Sequence, residues 1–331
     1  MSERRNRDDY GQRKFRDGKH VRPEAVKSEK IERKPPRVRL VFVLCLFLAI
    51  LAFVFKFEPR LSQYLHIFQY LKNGEYHAGD VKALRRIKRE NDHSGNLNWS
   101  GWNPGSWEGV LWSGGQRNRR VLALDMKKKD LTGTLSLAGL PDIQSANVNS
   151  NRLMGLDVSM AVNLVDLRCT DNELRALDVT SLVNLEILYC SHNKLTTLDL
   201  APLKELRFLH CGVNRLKALG VNHLTKLEHL WCNANDLKSL DVSGLHNLES
   251  FTCSYNDLTE LDVTSLVNLD TLYCDDNKLT ELDVSPLKNL HKLTCNDNLL
   301  TELDITGLTK LKELEYAGNE FSKPISGVAY R

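Results

Sequence analysis

An asparagine that recurs every 21 residues is the feature of this sequence that most restricts its fold. The series runs from Asn151 to Asn319, and seven of its members have a cysteine three residues earlier. An apolar residue follows two positions after each asparagine, from Leu153 through Leu300 to Phe321. A constant period of this length is typical of a solenoid, in which each unit stacks on its neighbours and shares one continuous core. The sequence therefore predicts a solenoid over these repeats.

Each repeat divides into an extended half and a turning half. Around Tyr189 the pattern alternates, so Leu188 and Cys190 are predicted to face the core while Tyr189 faces solvent. Stacked copies would form a parallel sheet on the concave side, and the following asparagine amide can bond backbone groups inside the bend. The second half carries leucines such as Leu198 and Leu203, with Ser, Thr, Gly or Pro nearby, which favours tight turns or 3₁₀ segments. The predicted fold class is an α/β solenoid that is mostly β.

One copy of the repeat, residues 185–195, reads LEILYCSHNKL. This segment resembles the LxxLxCxxNxL pattern of the leucine-rich repeat family, and within that family it is most similar to bacterial surface proteins of the internalin type. The resemblance covers roughly residues 120–321 and implies a right-handed solenoid with a parallel concave sheet. It also implies a binding scaffold whose partner differs between members, so the ligand has to be inferred from exposed positions.

The N-terminal segment is strongly basic. Residues 1–39 hold 14 Lys and Arg against 7 Asp and Glu, within a chain of net charge +3. Few aliphatic residues accompany these charges, so we predict a disordered cytoplasmic tail. A contact with acidic lipid or nucleic acid is the alternative, but opposite charges are interleaved along the tail. We therefore expect no nucleic-acid partner.

An apolar run follows the tail. Residues 40–57 begin with sixteen consecutive apolar residues and predict one transmembrane helix, an uncleaved signal-anchor that holds the chain in the membrane. A cleaved signal peptide is the alternative, but the polar region before the run is nearly forty residues long and no small-residue cleavage site follows the run. Lys and Arg crowd the N-terminal flank, so the positive-inside rule predicts a cytoplasmic N-terminus and extracytoplasmic repeats, at the cell surface or in the periplasm.

Two segments separate the predicted anchor from the repeats. The first predicts a helical stalk, including a helix with Asp80 as its N-cap. The second holds Trp99, Trp102, Trp107 and Trp112 and is similar to the N-terminal cap of plant-type leucine-rich repeat ectodomains, although the cysteine pair of those caps is missing. Packed aromatics would then form the cap, with a carbohydrate-binding surface as the alternative. The predicted divisions are a tail at 1–39, an anchor at 40–57, a stalk at 58–92, a cap at 93–120, repeats at 121–321 and a C-terminal tail at 322–331.

The in-phase cysteines, Cys169 to Cys295, are predicted to be free buried thiols. Adjacent strands are close enough for disulfides, but their parallel Cβ vectors would force a bridge to distort the sheet. A straight column of thiols cannot surround a metal ion. Three acids, Asp275, Asp276 and Asp297, are predicted to be solvated or paired with Lys292, with a Ca²⁺ site as the alternative. We expect no cofactor and no metal.

The solvent-facing strand position is aromatic in the middle repeats. A fold of this kind does not require large rings there, whereas such rings are frequent at interface hot spots. The alternative is that cross-strand aromatic neighbours only stabilise the sheet. The predicted ligand-binding residues are Tyr189, His210, Trp231, Tyr273, Phe208, His229, Asn233 and Tyr255.

The sequence carries none of the common catalytic motifs, and we predict that the protein is not an enzyme. The predicted function is a membrane-anchored, extracytoplasmic leucine-rich repeat protein that recognises a protein or a glycan through its concave face. One alternative is a structural envelope or assembly protein. Another is a receptor ectodomain that signals through a partner, which the short tail disfavours.

Overall fold

The computed structural model describes residues 76–100, 103–115 and 117–327. The predicted tail and anchor, the first part of the stalk and Trp102 lie outside these residues. Within them, no helix is both long enough and apolar enough to span a bilayer.

Short strands make up most of the described chain, and one α-helix and one 3₁₀ turn precede them. The α-helix α1 spans Ala78–Asn91, and the 3₁₀ turn spans Pro104–Ser106. The strands are β1 (Val110–Trp112), β2 (Val121–Asp125), β3 (Thr132–Ser136), β4 (Ser145–Asn147), β5 (Arg152–Asp157), β6 (Asp166–Arg168), β7 (Ile187–Tyr189), β8 (Phe208–His210), β9 (His229–Trp231), β10 (Ser250–Thr252), β11 (Thr271–Tyr273), β12 (Lys292–Thr294) and β13 (Glu313–Glu315).

Eleven of the strands in the described residues form one sheet, in the order β1, β2, β4 and then β6 to β13. β1 runs antiparallel to β2, and the later neighbours are parallel. From β6 onward each residue pairs with the one 21 positions later, so that Leu188 lies opposite Leu209 and Leu209 opposite Leu230. β3 and β5 form a separate parallel pair. The predicted mostly-β repeat solenoid is confirmed.

The core is a set of leucine columns that the repeat places one above another. Leu209 and Leu230 on the strands are fully buried, as are Leu203 and Leu206 in the turning half. The turning half closes through i to i+3 bonds, for example Leu206 N to Leu203 O at 3.1 Å. Tight turns, as predicted, therefore replace helices on the convex side, since a repeat of this length has little room for an α-helix.

The repeat asparagine ties each repeat to the one before it. The Asn235 Nδ2 donates to Cys232 O at 3.0 Å in its own repeat and to Cys211 O at 3.1 Å in the preceding one. Its Oδ1 accepts from Leu216 N at 3.0 Å. Both ends of the amide are thus used inside the bend, which confirms the role predicted for this residue. Because the pattern recurs from repeat to repeat, it forms a continuous ladder.

A second asparagine ladder, to which the sequence analysis assigned no role, runs along the convex side. The Asn247 Nδ2 donates to Thr225 O at 2.8 Å, and the Asn268 Nδ2 donates to His246 O at 2.9 Å. Asn163, Asn184 and Asn289 make the equivalent bond. Two consecutive repeats lack this asparagine, and there Lys226 forms an ion pair with Glu205. Both devices hold neighbouring turns in register.

The residue before each repeat asparagine adopts the left-handed conformation. Its φ lies near +50 to +60° from Ser150 to Asp297, for example +53° at His192 and +60° at Tyr255, and it is +72° at Gly318. This conformation is unfavourable for side chains that branch at Cβ, so Val213 carries local strain. The chain uses the position to turn off the strand.

Helix α1 packs on the first turns of the solenoid. It begins at Ala78 after His77, so the prediction that Asp80 is the N-cap is wrong. Asp80 lies in the first helical turn and is fully buried, where its carboxylate accepts from Val121 N at 2.8 Å and pairs with Arg120 at 3.0 Å. The carboxylate therefore joins the helix to β2, a tertiary role that a local capping pattern cannot reveal.

Aromatic side chains complete the N-terminal end. The indoles of Trp99 and Trp107 are stacked with centroids 5.9 Å apart, and both are buried. The Trp99 Nε1 donates to Glu108 O at 2.8 Å, and the Trp112 ring lies 4.6 Å from that of Tyr76. Among the described residues this end of the solenoid is closed by rings and a helix, without a disulfide.

Candidate functional site

Three rings form one stack on the concave face. Tyr189, His210 and Trp231 occupy the same strand position on β7, β8 and β9, where side chains point away from the core. The Tyr189 and His210 rings have centroids 4.1 Å apart and planes within 2° of each other. His210 and Trp231 repeat this geometry at 3.9 Å and 3°. The three predicted site residues therefore make one continuous surface.

A guanidinium extends the stack at its N-terminal end. The Arg168 Cζ lies 5.0 Å from the centroid of the Tyr189 ring, within cation–π range. Its Nε donates to both carboxylate oxygens of Asp166, at 2.9 and 3.2 Å. These bonds raise the pKa of Arg168 above its ordinary value. Arg168, which was not among the predicted site residues, thus belongs to the site.

Trp231 is the most exposed member of the stack. Its side chain is 42% exposed, although its neighbour in the strand, Leu230, is fully buried. The indole Nε1 donates to Ser250 Oγ on the next strand at 3.2 Å. One face of the indole is covered by His210, so the exposed area is available to a partner.

His210 is uncharged at neutral pH in this environment. Burial, together with the nearby His229 and Arg168, lowers the pKa of its imidazole to about 4. A neutral imidazole can stack between two rings without bringing a charge into the middle of the surface. The stack is therefore apolar at its centre and cationic at the Arg168 end.

Tyr273 does not join this stack. Thr252 occupies the same position on the strand between Trp231 and Tyr273, and among the described residues no ring contact joins these two rings. The Lys292 Nζ lies 5.3 Å from the Tyr273 centroid and pairs with Glu313 at 2.6 Å. Tyr273 is thus a second aromatic element, two strands from Trp231, with a cation on its far face.

The remaining predicted site residues fall into two groups. Phe208 and His229 stack beside the main column, with centroids 5.0 Å apart, and the Arg207 Cζ lies 5.5 Å from the Phe208 ring. Asn233 and Tyr255 lie beyond the ends of the strands, in the bend that carries the asparagine ladder. The first pair widens the surface, whereas the second pair lies at its edge.

The prediction for Asp275 is wrong, because this residue is buried instead of solvated. Its carboxylate accepts from Thr294 Oγ1 at 2.6 Å, Asn296 Nδ2 at 2.8 Å and Ser254 Oγ at 3.2 Å. These donors come from the two repeats on either side of Asp275, so the carboxylate joins three adjacent repeats. Lys292 pairs with Glu313 instead of these acids. Within the described part of the chain, no group of three His, Cys, Asp or Glu is arranged to hold a metal ion.

The seven cysteines of the repeats are buried and unbridged, in the positions predicted. Burial raises the pKa of Cys190 and of Cys232 to about 12. These thiols are therefore protonated at neutral pH, and they act as small apolar side chains in the core. His210 precedes Cys211 in the chain, but its side chain lies on the opposite face of the sheet.

The repeat, the asparagine ladder and the buried cysteine column define a solenoid that is similar to those of leucine-rich repeat proteins. Neither a protein-family model nor a curated protein sequence matches the chain. Similar solved structures include the functional domain of InlJ from Listeria monocytogenes, which includes a cysteine ladder. It is 28% identical with a TM-score of 0.44, over 63% of this chain and 58% of that one.

Two further structures are YopM proteins. YopM from Yersinia enterocolitica is 26% identical with a TM-score of 0.51, over 57% of this chain and 40% of that one. YopM from Yersinia pestis, described as a leucine-rich effector protein, is 25% identical with a TM-score of 0.50, over 62% of this chain and 68% of that one. These neighbours are leucine-rich repeat proteins, and a leucine-rich repeat fold is typical of protein–protein interaction domains.

Proposed function

We propose that this protein is a membrane-anchored, extracytoplasmic leucine-rich repeat protein that binds a protein partner through the aromatic stack of its concave face. The observation that carries the proposal is the stack of Tyr189, His210 and Trp231 on a strand position that the fold leaves open to solvent. Tyr and Trp offer a large contact area with few rotatable bonds, and they are the residue types enriched at interface hot spots.

The surroundings of the stack support this role. The rings are held in place before any partner arrives, because each contacts the next and Trp231 also bonds Ser250. Arg168 is similarly fixed by Asp166. A surface that is already ordered loses less side-chain entropy on binding, so more of its contact energy contributes to affinity.

The binding site is tested by site-specific photo-crosslinking. A photoreactive phenylalanine analogue replaces Trp231 in the full-length chain, and a matched protein carries it at Val267, an apolar residue of the convex side that is 48% exposed. We expect a partner to be crosslinked from position 231 and not from position 267. The partner is then identified, purified and titrated against the unmodified chain. Equal capture from both positions, or capture from 267 alone, would move the interface away from the stack.

The membrane topology is proposed from the sequence of residues 1–57 and needs its own test. Protease is added outside intact cells that express the full-length chain. We expect the repeats to be digested and a small basic fragment from the N-terminus to survive. Protected repeats, or a mature protein that begins after Phe57, would contradict the signal-anchor.

A role in assembly is the alternative function, and β13 is where it would act. This strand has a neighbour on only one side within the described sheet, and Leu314 at its centre is only partly buried. Glu313 and Glu315 flank Leu314. If the β13 strands of two copies paired in antiparallel orientation, Glu313 of one copy would lie opposite Glu315 of the other. Like charges in opposite positions destabilise pairing, so these side chains disfavour assembly through this edge.

A further inference from the structure

The aromatic column has a gap that is one residue wide. Stacked rings occupy β7, β8 and β9, a threonine follows on β10, and another ring follows on β11. We call the space above Thr252, between the rings of Trp231 and Tyr273, the Thr252 slot. Thr252 is half-buried at the bottom of this slot.

The spacing of the strands sets the width of the slot. Neighbouring strands lie about 4.8 Å apart, so the strands that carry Trp231 and Tyr273 are about 9.6 Å apart. A planar group centred above Thr252 would lie about 4.8 Å from the ring on each side, which is within the ~6 Å range of cation–π contacts. One flat group fits the gap, and two do not.

The outer faces of both walls are already covered. His210 lies against one face of Trp231, and the Lys292 Nζ lies near one face of Tyr273. The faces that remain are those that border Thr252. The tyrosine rings of this column already contact cations. The Arg168 guanidinium lies over the ring of Tyr189, and the Lys292 ammonium lies over the ring of Tyr273. At both ends, the partner of a tyrosine ring is a cation.

Two carboxylates lie near the amino ends of the strands that carry the slot, three residues before Thr252 and Tyr273 and about 10 Å away along the chain. Glu249 and Asp270, at the amino ends of β10 and β11, are exposed carboxylates. Asp270 contacts His291 at 2.6 Å, and within the described residues Glu249 makes no ion pair. Ser250 Oγ already accepts from Trp231 Nε1 and from Thr271 Oγ1, whereas the Thr271 hydroxyl, 3.1 Å from Ser250 Oγ, can still accept a hydrogen bond. A positively charged side chain that approaches from the amino ends of these strands would therefore pass complementary groups.

We propose that the Thr252 slot binds an arginine side chain of the protein partner, with its guanidinium between Trp231 and Tyr273. This inference rests on the proposed function and names the chemistry of its central contact. Arginine fits better than lysine, because the guanidinium is planar and can stack on two ring faces at once. It also fits better than a neutral sugar ring, because the tyrosine rings of the same column already contact cations.

The test uses the ¹⁵N-labelled full-length chain and observes the indole N–H signal of Trp231, assigned with Trp231→Phe. The probe is Nα-acetyl-arginine amide, and Nα-acetyl-citrulline amide is the control of similar shape without the charge. We expect the arginine probe to shift the Trp231 signal in a saturable way and the citrulline probe to bind at least tenfold more weakly.

Thr252→Phe, which fills the slot, should abolish the shift, while Thr252→Val, which leaves it open, should preserve it. Tyr273→Ala, which removes one wall, should weaken binding at least fivefold.

An unshifted Trp231 signal, or an equal response to citrulline, would overturn the proposal. A shift caused by a methyl glycoside and not by arginine would also overturn it and would assign the slot to a glycan. The proposed function is judged separately, with the crosslinked partner. If that partner needs Trp231 but tolerates Thr252→Phe, the concave site stands and the arginine contact is wrong. If the arginine probe binds but the partner tolerates Trp231→Ala, the slot stands and the proposed function is wrong.

Discussion

The imidazole of His210 lies parallel to the indole of Trp231, with ring centroids 3.9 Å apart and 3° between the planes. The two residues are one repeat apart in sequence, and the in-register sheet places them side by side. A ring at this strand position therefore contacts the side chain at the same position of the neighbouring repeat. Repetition alone converts isolated aromatic residues into a continuous surface.

The first prediction concerns His210 and pH. Because the pKa of His210 is lowered to about 4 in the folded state, the folded state binds fewer protons than the unfolded state between that value and the ordinary 6.5. His210 therefore stabilises the fold above pH 6.5, and this stabilisation is lost as the pH falls from 6.5 to about 4. In His210→Phe, the fall in the free energy of unfolding between pH 7 and pH 4 should be smaller by about 1–2 kcal/mol, allowing for the exposed ring edge.

Urea unfolding at a series of pH values measures this difference. His246→Phe, on the convex surface, is the control for removing a histidine outside the stack. If wild type and His210→Phe lose stability in parallel over this pH range, the imidazole is not held in the neutral form by the stack.

The second prediction concerns the two asparagine ladders. Asn235→Ala removes donors to Cys211 O and Cys232 O and leaves Leu216 N without its acceptor, all inside the protein. We expect a loss of about 2–4 kcal/mol, since buried backbone groups would be left unpaired. Asn247→Ala removes one bond on the exposed convex side and should cost about 1 kcal/mol or less. Chemical denaturation of both variants compares them, and equal losses would contradict the difference in burial.

The third prediction concerns the cysteine column. The raised pKa of Cys232 predicts that this thiol resists alkylation in the folded protein and reacts when the protein unfolds. Cys232→Ser should destabilise the fold by about 1–3 kcal/mol, because it places a hydroxyl without an assured partner in the core. Mass spectrometry of labelled protein follows the first outcome, and thermal melting follows the second. A disulfide between adjacent repeats would show that the column can bridge after all.

The fourth prediction uses the strained turn. Val213 has a φ of +54°, a conformation that Asn adopts more readily than a β-branched residue. Val213→Asn should therefore stabilise the protein by about 0.5–1 kcal/mol. Val183→Asn, at an exposed convex position, is the matched control and should change stability by less than about 0.5 kcal/mol. If Val183→Asn raises the free energy of unfolding and Val213→Asn does not, backbone strain at Val213 does not limit the stability of the protein.

The repeat itself was predictable from the sequence because a solenoid core is local. Leu188 and Cys190 face inward, as their alternation with Tyr189 indicates, and the same pattern is copied from repeat to repeat. The role of Asn235 was also predictable, since one amide in a bend has few backbone groups within reach. These features depend on a repeat and its immediate neighbour.

The features that sequence reasoning missed depend on side chains from several repeats or from distant segments. Asp275 is buried because Ser254 and Asn296 occupy the same position one repeat before and after it, and comparison along that column could have indicated a hydrogen-bonded carboxylate. Asp80 meets Arg120 across 40 residues of sequence, and no local pattern shows that contact. The sequence predicted that the rings share one column of the concave face, but it could not predict their parallel stacking, because ring-to-ring geometry depends on the rotamers of neighbouring side chains.

The central claim is that Trp231 serves binding while its neighbour Leu230 serves folding. The most direct measurement compares Trp231→Ala and Leu230→Ala for both partner affinity and the free energy of unfolding. We predict that Trp231→Ala weakens binding by about 2 kcal/mol or more, roughly thirtyfold, and leaves stability nearly unchanged. Leu230→Ala, which opens a cavity in the core, should cost about 2–5 kcal/mol of stability. If Trp231→Ala instead lowers stability as much as Leu230→Ala and leaves partner affinity intact, the stack only packs the sheet, and the partner binds elsewhere.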